Sequence, residues 1–504
     1  MEAEYIIIQA GGKGSRMERL TRNKPKALVP VDNLPILFHI FKKFPQKKYV
    51  IIGDYKFDVL EKYLKTFATI SYELVSGAGK QGTCAGLSAA IEKVPEKSPF
   101  LLIWCDLVLA DDFRLPVKNG NYLGISKDFP CRWKYEDGLF QEEKSQGFGV
   151  AGFFIFQDKD VIKGVPDEGE FVRWLRDQDL RFQEIPLYRT HEYGLYSVWE
   201  QLPASRCRPF NQIEFQTDRI VKRPLDQQGR DLAIREIRWY KKAEGIVSGN
   251  LPRIYSYEPL CMERIDGKNI YEYGERPFDW KKCVLKKIID CIKGIHLQER
   301  VSAEPESFYN AYIGKTFQRL EKIRKLVPFA NDAEVIVNGE RCRNVFACRP
   351  RVEELVMRYI PDSFALIHGD CTFSNLMLKK DDTPVLIDPR GYFGTTELYG
   401  DPAYDWVKLY YSIVGNYDQF NLKRFTLQID PGSVSLEIES SRWEELEQVF
   451  FDELEGEVTR PQMLLYLALV WLSLTTYAWE DYDSICGAFY NGLRYFEKAL
   501  RAFE

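Results

Sequence analysis

Asp370 and Asn375 stand five residues apart in Ile367-His-Gly-Asp-Cys-Thr-Phe-Ser-Asn375. Asp388 ends the apolar run Val385-Leu-Ile-Asp388 thirteen residues later. Phosphoryl transfer to a hydroxyl requires a carboxylate that orients the acceptor and metal ligands around the β- and γ-phosphates. This trio has the right residue types for both tasks. His368, one of four histidines in the chain, reads as a brace of the loop rather than a proton carrier. A second group of residues opens the chain. Gly11, Gly12 and Gly14 follow the apolar run Tyr5-Ile-Ile-Ile8, and backbone amides of a glycine loop leading into a helix form a cradle for phosphate oxygens. Arg16, Lys24 and Lys26 can bring cationic charge to a polyphosphate. A plain tight turn explains three glycines equally well, so the loop alone decides nothing.

A third set lies near the C-terminus. Tyr404, Trp406, Tyr410, Trp471, Tyr477, Trp479 and Tyr482 occur among Asp405, Glu480, Asp481 and Asp483. Aromatic faces with nearby carboxylates can hold a quaternary ammonium through cation–π attraction. The competing reading is packing, because Trp471 and its neighbours have the spacing of a core helix. Asp405 has two roles open to it, touching substrate or bracing the catalytic loop.

These residues need elements to position them. Tyr49–Ile52 and Phe100–Trp104 are further short apolar runs, separated by helix-like stretches at 35–43, 58–66 and 86–93. Such alternation predicts an open, mainly parallel, doubly wound sheet with helices on both faces. Gly147–Ile155 reads as another strand, and the periodicity breaks over Gln201–Arg208. Beyond the break, 212–223 alternates like strands, 231–243 reads as a helix, and 258–265 is extended again. From Trp280 the pattern is largely helical, interrupted by 364–391. The expected organisation is a domain at 1–204 and another at 205–504, the latter divided into a small lobe (205–267) and a helical large lobe (268–504).

Composition narrows the class without naming it. A chain of 504 residues with 45% hydrophobic and 28% charged residues reads as globular and is too long for a single core. A formal charge of −5 speaks against a nucleic-acid binder. The longest apolar stretch, Met463–Leu474, is too short to span a bilayer. Eleven scattered cysteines and no signal-like N-terminus lead to an expectation of free thiols in the cytoplasm. Oligomeric state is open. Residues 1–200 carry 28 basic and 28 acidic side chains, yet the first 50 carry ten and four. The positive surplus therefore sits around the glycine loop.

The string Gln9-Ala-Gly-Gly-Lys-Gly-Ser-Arg-Met17, with Asn23-Lys-Pro-Lys-Ala-Leu-Val-Pro-Val31 and Pro35-Ile-Leu37, resembles the signature of sugar-phosphate and phosphocholine nucleotidyltransferases. The resemblance covers roughly residues 4–200. It implies a Rossmann-like domain in which Gly11, Gly12 and Arg16 bind the nucleoside triphosphate and Lys26 offsets phosphate charge during transfer. Gln81-Gly-Thr83, in Gln81-Gly-Thr-Cys-Ala-Gly86, would sit near the base. Mg²⁺ between the reacting phosphates needs a carboxylate at a strand end. Asp106 in Leu101-Leu-Ile-Trp-Cys-Asp106 stands where the family has Gly-Asp, with Cys105 in place of the glycine. Glu192, in His191-Glu-Tyr-Gly-Leu195, loosely matches the second acidic ligand. Asp106 as a turn cap and Glu192 as a surface residue are the alternatives.

Residues 205–504 resemble the aminoglycoside-phosphotransferase and choline-kinase family, weakly in the small lobe and strongly around Asp370. The offset from Asp370 to Asn375 is that of the protein-kinase catalytic loop. The resemblance implies a bilobal kinase fold, with Asn375 and Asp388 as Mg²⁺ ligands. Lys222, in Asp218-Arg-Ile-Val-Lys222, would touch ATP phosphate and pair with Glu236; ordinary surface charges are the other reading. Met262 and Glu263 would form the hinge beside adenine. No clear glycine-rich loop precedes Lys222, and Ser205–Asn211 is the candidate cover over the phosphates.

A kinase makes a phosphomonoester and a nucleotidyltransferase consumes one. The favoured expectation is therefore ATP-dependent phosphorylation of choline, followed by transfer of CMP from CTP with release of pyrophosphate. The product would be CDP-choline for surface glycan decoration. On that expectation Asp405, Trp406, Tyr410, Trp471 and Trp479 bind the acceptor. The rival is a sugar kinase joined to a sugar-1-phosphate nucleotidyltransferase. A non-catalytic nucleotide sensor in either half is the third reading.

Overall fold

The computed structural model describes residues 3–202, 211–247 and 249–504. The chain divides into two compact units, Met1–Pro203 with Glu480–Tyr482, and Ala204–Trp479 with Asp483–Glu504. The stretch 205–210, expected from sequence to cover the phosphates, lies outside the described residues.

The first unit is built on a nine-stranded sheet. Its parallel centre runs in the order Phe100–Trp104, Tyr5–Gln9, Lys48–Gly53, Tyr72–Ser76. Ile6, Ile7 and Ile8 are all fully buried. A strand buried on both faces needs an unbroken apolar run, because alternate side chains point to opposite faces. Ile7 belongs to a core that also takes in Leu87, Ile91, Phe171 and Leu175. The helices Ile36–Lys43, Phe57–Phe67 and Leu87–Ile91 connect the strands. Gly149–Phe156 adds antiparallel to Phe100–Trp104, and Tyr122–Ser126 pairs with it in turn. Register is what positions the chemistry: Gln9 lies opposite Trp104. The loop Gly11–Gly14 and Asp106 thus emerge together at the carboxyl end of the sheet, where open α/β folds bind ligands.

The second unit begins with an antiparallel four-stranded sheet in the order Asn211–Phe215, Arg219–Pro224, Leu260–Glu263, Ile254–Tyr257. The helix Gln227–Ala243 follows the second of these strands and is capped by Asp226, whose carboxylate accepts from the Gly229 N–H at 2.7 Å. The remainder is rich in helices, among them Phe278–His296, Lys315–Ile323, Pro402–Ile413, Arg460–Leu474 and Tyr482–Phe503. Arg460–Leu474 is apolar nearly all round, and such a helix belongs inside a core. Met463, Leu465, Tyr466, Leu467, Ala468, Trp471 and Leu472 are fully buried. Among the described residues no helix is long and apolar enough to cross a membrane.

The largely helical large lobe also contains strands beyond those expected from its sequence. A second four-stranded sheet, in the order Glu340–Arg343, Glu334–Val337, Ser433–Ile438, Phe425–Asp430, stands within it. Its hairpin 425–438 turns at Asp430-Pro-Gly-Ser433 and buries Leu427, Val434 and Leu436 on one face. The alternation of those residues favours a strand over a helix.

Candidate active sites

Each unit contains one cluster of chemically capable side chains. In the first, the short strand His191–Glu192 pairs antiparallel with Leu107–Val108, Glu192 facing Leu107. The Tyr193 N–H donates to the Asp106 carbonyl at 3.0 Å. This pairing brings Glu192, distant in sequence, beside Asp106. Lys26 joins them through an ion pair with Asp106, and its ammonium lies 3.9 Å from Glu192 Oε1. Burial favours neutral forms of all three groups. For Lys26 the charges of Asp106 and Glu192 outweigh burial, so its ammonium is held above the usual range. Asp106 is likewise buried, but Lys26 holds its carboxyl below the usual range. Glu192 takes the opposite course: burial and the Asp106 charge push it up to about 7. Asp106 Oδ1 is buried without a hydrogen-bond partner. Two carboxylates with an orphaned oxygen form a donor set suited to a hard divalent cation.

The glycine loop borders this cluster. Gly14 has φ 65°, and the Gly12 Cα faces open space. Arg16 is exposed on the turn that follows and acts electrostatically on Glu192. Lys24 is buried. Gln81 and Gly82 lie on another loop. Gly82 has φ 87°, and a Cβ there would stand 2.2 Å from the Gly169 carbonyl, so glycine is required. Thr83 Oγ1 accepts from the Phe171 N–H at 2.7 Å, which ties that loop to the helix Phe171–Arg176.

In the second unit, Asp370 and Asn375 share one turn. The Asn375 amide donates to the Asp370 carbonyl and to Asp370 Oδ2, both at 3.0 Å. Asp388 follows the strand Pro384–Leu386 with φ 53°, a left-handed conformation that aspartate tolerates better than most residues. It meets Lys222 Nζ at 2.5 Å, and the same ammonium lies 2.8 Å from Glu236 Oε2. Two carboxylates outweigh burial and raise the Lys222 ammonium far above its usual range. Burial pushes Glu236 up to about 7. Met262 faces Ile220 and Ile254 in the sheet register, and Glu263 accepts from the Arg253 backbone N–H at 3.1 Å.

The catalytic loop is held from behind by Asp405 and His368, which the sequence offered as braces, and by Ser412 and Asp418, which it did not. Both Asp405 oxygens are consumed: Oδ2 accepts from the His368 N–H at 2.9 Å and contacts His296 Nε2 at 3.0 Å, and Oδ1 accepts from the Gly369 N–H at 2.6 Å. Ser412 accepts from the Phe373 N–H, and Asp418 from the Ser374 N–H. His368 is buried, which lowers its pKa. Its Nε2 bonds the Ile387 carbonyl at 3.0 Å while Nδ1 accepts from the Asp370 N–H. Lys408, a basic residue that no motif singles out, sets its ammonium 3.0 Å from Asp370 Oδ1. Burial alone would raise the Asp370 carboxyl. Lys408 and Arg390 override it and keep the group ionised below the usual range.

Of the acceptor residues expected from sequence, Trp406, Tyr410 and Trp471 are buried, and Asp405 takes the bracing role, the other of the two open to it. Asp405 is 0% exposed and engaged with the loop backbone. Trp406 stacks edge-on against His296 and donates to Glu457. Tyr410 packs on Phe450 and donates to Glu447. Trp471 is wedged between Tyr411 and Phe420. These three aromatic rings are core, and a buried ring presents no open face to a ligand. Trp479 is half-buried in the turns after the helix Arg460–Leu474.

Taken together, fold and clusters define a Rossmann-like nucleotidyltransferase domain followed by a kinase-like phosphotransferase domain. Comparison with known proteins gives the families. The MobA-like NTP transferase domain matches residues 6–113, and the phosphotransferase enzyme family (APH) matches residues 210–425. The two matches fall one in each unit, a nucleotidyltransferase-type domain before an APH-type phosphotransferase domain. The bifunctional protein GlmU of Methanocaldococcus jannaschii is 32% identical over 166 residues, 32% of this chain and 36% of the relative. The glucose-1-phosphate thymidylyltransferase of Streptomyces griseus is 23% identical over 282 residues, 52% of this chain and 70% of the relative. The chain spans about a third of the length of the first of these curated relatives. Among solved structures, the gentamicin-APH(2")-IIa complex aligns over 56% of this chain and 88% of its own, at 14% identity and a TM-score of 0.38.

Proposed function

We propose that the two domains catalyse successive reactions, the C-terminal one forming a phosphomonoester that the N-terminal one converts to a nucleoside-diphosphate conjugate. The observation that carries this reading is that one chain holds both clusters, Asp370–Asn375 with Lys222–Asp388 and Lys26–Asp106–Glu192. In the first reaction the acceptor oxygen attacks the γ-phosphorus of ATP, the bond to the bridging oxygen breaks, and ADP leaves. Asp370 orients the hydroxyl and takes its proton. Lys222, steadied by Glu236, faces the phosphates. In the second reaction a phosphomonoester oxygen attacks the α-phosphorus of a nucleoside triphosphate and pyrophosphate leaves. Lys26 and Arg16 offset the charge gathered there, and the amides of Gly11, Gly12 and Gly14 cradle the phosphates. Asp106 with Glu192, and Asp388 with Asn375, are the groups that would hold Mg²⁺. When bound, that cation screens the phosphate oxygens against the incoming nucleophile.

A sugar or other polyhydroxy acceptor has better support than choline. The aromatic argument for choline weakens with the burial of Trp406, Tyr410 and Trp471. The similarity to a glucose-1-phosphate thymidylyltransferase favours a sugar-phosphate partner for the N-terminal domain. Incubating the full chain with ATP, CTP, UTP, dTTP, GTP, Mg²⁺ and a panel of sugars, polyols and choline, then recording mass spectra, tests the reading. A nucleoside-diphosphate conjugate whose appearance depends on ATP and on the free alcohol is expected. CDP-choline as sole product would restore the choline reading. Nucleotide binding with no product from either step would favour the sensor.

A further inference from the structure

The surroundings of Asp370 are crowded with positive charge. Lys408 lies 3.0 Å from its Oδ1. Arg390 is fastened to the same loop: its backbone N–H donates to the His368 carbonyl at 2.8 Å. Its side chain packs so tightly that a Cβ on Gly369 would stand 3.0 Å from Arg390 Cβ. The Arg390 guanidinium donates to the Tyr404 hydroxyl at 3.0 Å and sits 4.9 Å from the Tyr392 ring centre. Lys315 reaches the same ring at 5.5 Å, and Arg235 at 4.6 Å. Arg319, one turn after Lys315 on the helix Lys315–Ile323, donates to the Ser473 carbonyl and hydroxyl.

Counter-charge is scarce in this group, and Asp370 acts on Arg390 as well as on Lys315. Among the described residues no carboxylate forms an ion pair with Lys315, Arg319 or Arg390, and Asp370, the acid that acts on Lys315, is already paired with Lys408. Burial and the charges of Arg390, Arg319 and Lys408 press the Lys315 ammonium well below its usual range. Like charges brought together out of water raise the energy of the empty site. An anion entering among them relieves that repulsion. ATP phosphate has a separate partner in Lys222, whose ammonium faces Asp388 and Glu236.

We infer that the kinase acceptor is an anionic alcohol, a hydroxyl compound already carrying a phosphate or a carboxylate, with its charged group held by Lys315, Arg319 and Arg390 and its hydroxyl facing Asp370. The inference rests on the kinase reading above and names its substrate class. The acceptor oxygen forms a bond to the γ-phosphorus of ATP as the bond to the bridging oxygen breaks. The hydroxyl proton passes to Asp370, and ADP departs with the bonding pair. The product therefore carries two anionic groups, a new phosphomonoester and the original phosphate or carboxylate. A cationic alcohol such as choline is repelled by the same cluster.

The test pairs matched acceptors on the full chain with radiolabelled ATP and Mg²⁺: glycerol, glycerol 3-phosphate, glycerate and choline, then glucose, glucose 6-phosphate and gluconate. Expected is a kcat/KM at least about 100-fold higher for one anionic member than for its neutral partner. The phosphate and carboxylate arms tell the two anions apart. Equal or better use of the neutral or cationic compounds overturns the inference and leaves the kinase reading standing. A second measurement needs no turnover: inorganic sulfate is titrated into the chain saturated with a non-hydrolysable ATP analogue. Sulfate should bind about tenfold or more weakly to Lys315→Gln than to the wild type, with Lys315→Arg retaining affinity. Equal sulfate affinity in wild type and Lys315→Gln, or a Lys315→Gln effect on the KM for ATP alone, overturns the inference. Failure of the wild type to bind the ATP analogue at all would instead refute the kinase reading on which it rests.

Discussion

The two sites solve opposite electrostatic problems. At the N-terminal site two carboxylates share one lysine, and a buried oxygen of Asp106 is left without a partner. Around Asp370 the ratio is inverted, with one carboxylate among Lys408, Arg390, Lys315 and Arg319. The first arrangement would suit a cation and the second an anion. A buried group whose charge is unmatched by the protein points to the charge of what binds there. Net charge alone, −5 over the chain, conceals both.

The largest effects should come from exchanging the two acids separately. Asp370→Asn is expected to lower phosphomonoester formation by about 10²–10⁴-fold, while nucleotidyl transfer from a supplied phosphomonoester continues. Asp106→Asn should do the reverse, losing about 10²–10³-fold in nucleotidyl transfer. Separate assays of the two steps check both, and loss of both activities in one folded variant would break the contrast. Next in size is Asp405→Ala. It strips the acceptor from the His368 and Gly369 N–H groups, which should cost about 4 kcal/mol in denaturant unfolding of the kinase domain. Kinase kcat should fall further than the KM for ATP rises.

Asp401 offers a smaller effect that depends on pH. Its carboxylate accepts from the Tyr312 hydroxyl and the Ala403 N–H, yet burial pushes its pKa from 3.8 up to about 6. A folded-state pKa above the unfolded value means that the stabilising contribution is complete below about pH 4 and disappears as pH rises through 6. Asp401→Asn, which stays uncharged, should therefore gain on the wild type by up to about 3 kcal/mol between pH 4 and pH 7. Paired denaturant melts at the two pH values measure this. An unchanged difference would show that Asp401 is ionised throughout.

What could be read from the sequence follows from how closely the residues are spaced along the chain. Asp370, Asn375 and Asp388 fall within one short stretch because a single turn and a single strand carry them, so their spacing is itself a signal. The parallel sheet was legible for a similar reason, since strands buried on both faces must be written as runs such as Tyr5-Ile-Ile-Ile8. Glu192 was visible as a loose motif match, but its place beside Asp106 depends on a backbone pairing with Leu107 that no spacing reveals. Lys408, Arg390, Lys315 and Arg319 come to one place from three separate segments, and isolated basic residues on helices look like solvated faces. The aromatic set misled because Trp406, Tyr410 and Trp471 obey helical periodicity, which core packing and a ligand cage share. The hairpin 425–438 carries its own signal, a strict alternation around Asp-Pro-Gly-Ser, which the helical pattern on either side masks.

Lys26 and Lys222 bear on how the protein behaves in a chelating buffer. Each sits between two carboxylates and acts as a resident counter-ion. Acid clusters that carry their own ammonium do not depend on metal for folding, unlike domains whose ligand sets collapse on metal removal. Stripping divalent ions with EDTA should leave the melting temperature of both domains unchanged while silencing both reactions. Adding Mg²⁺ back should restore both reactions without refolding of either domain.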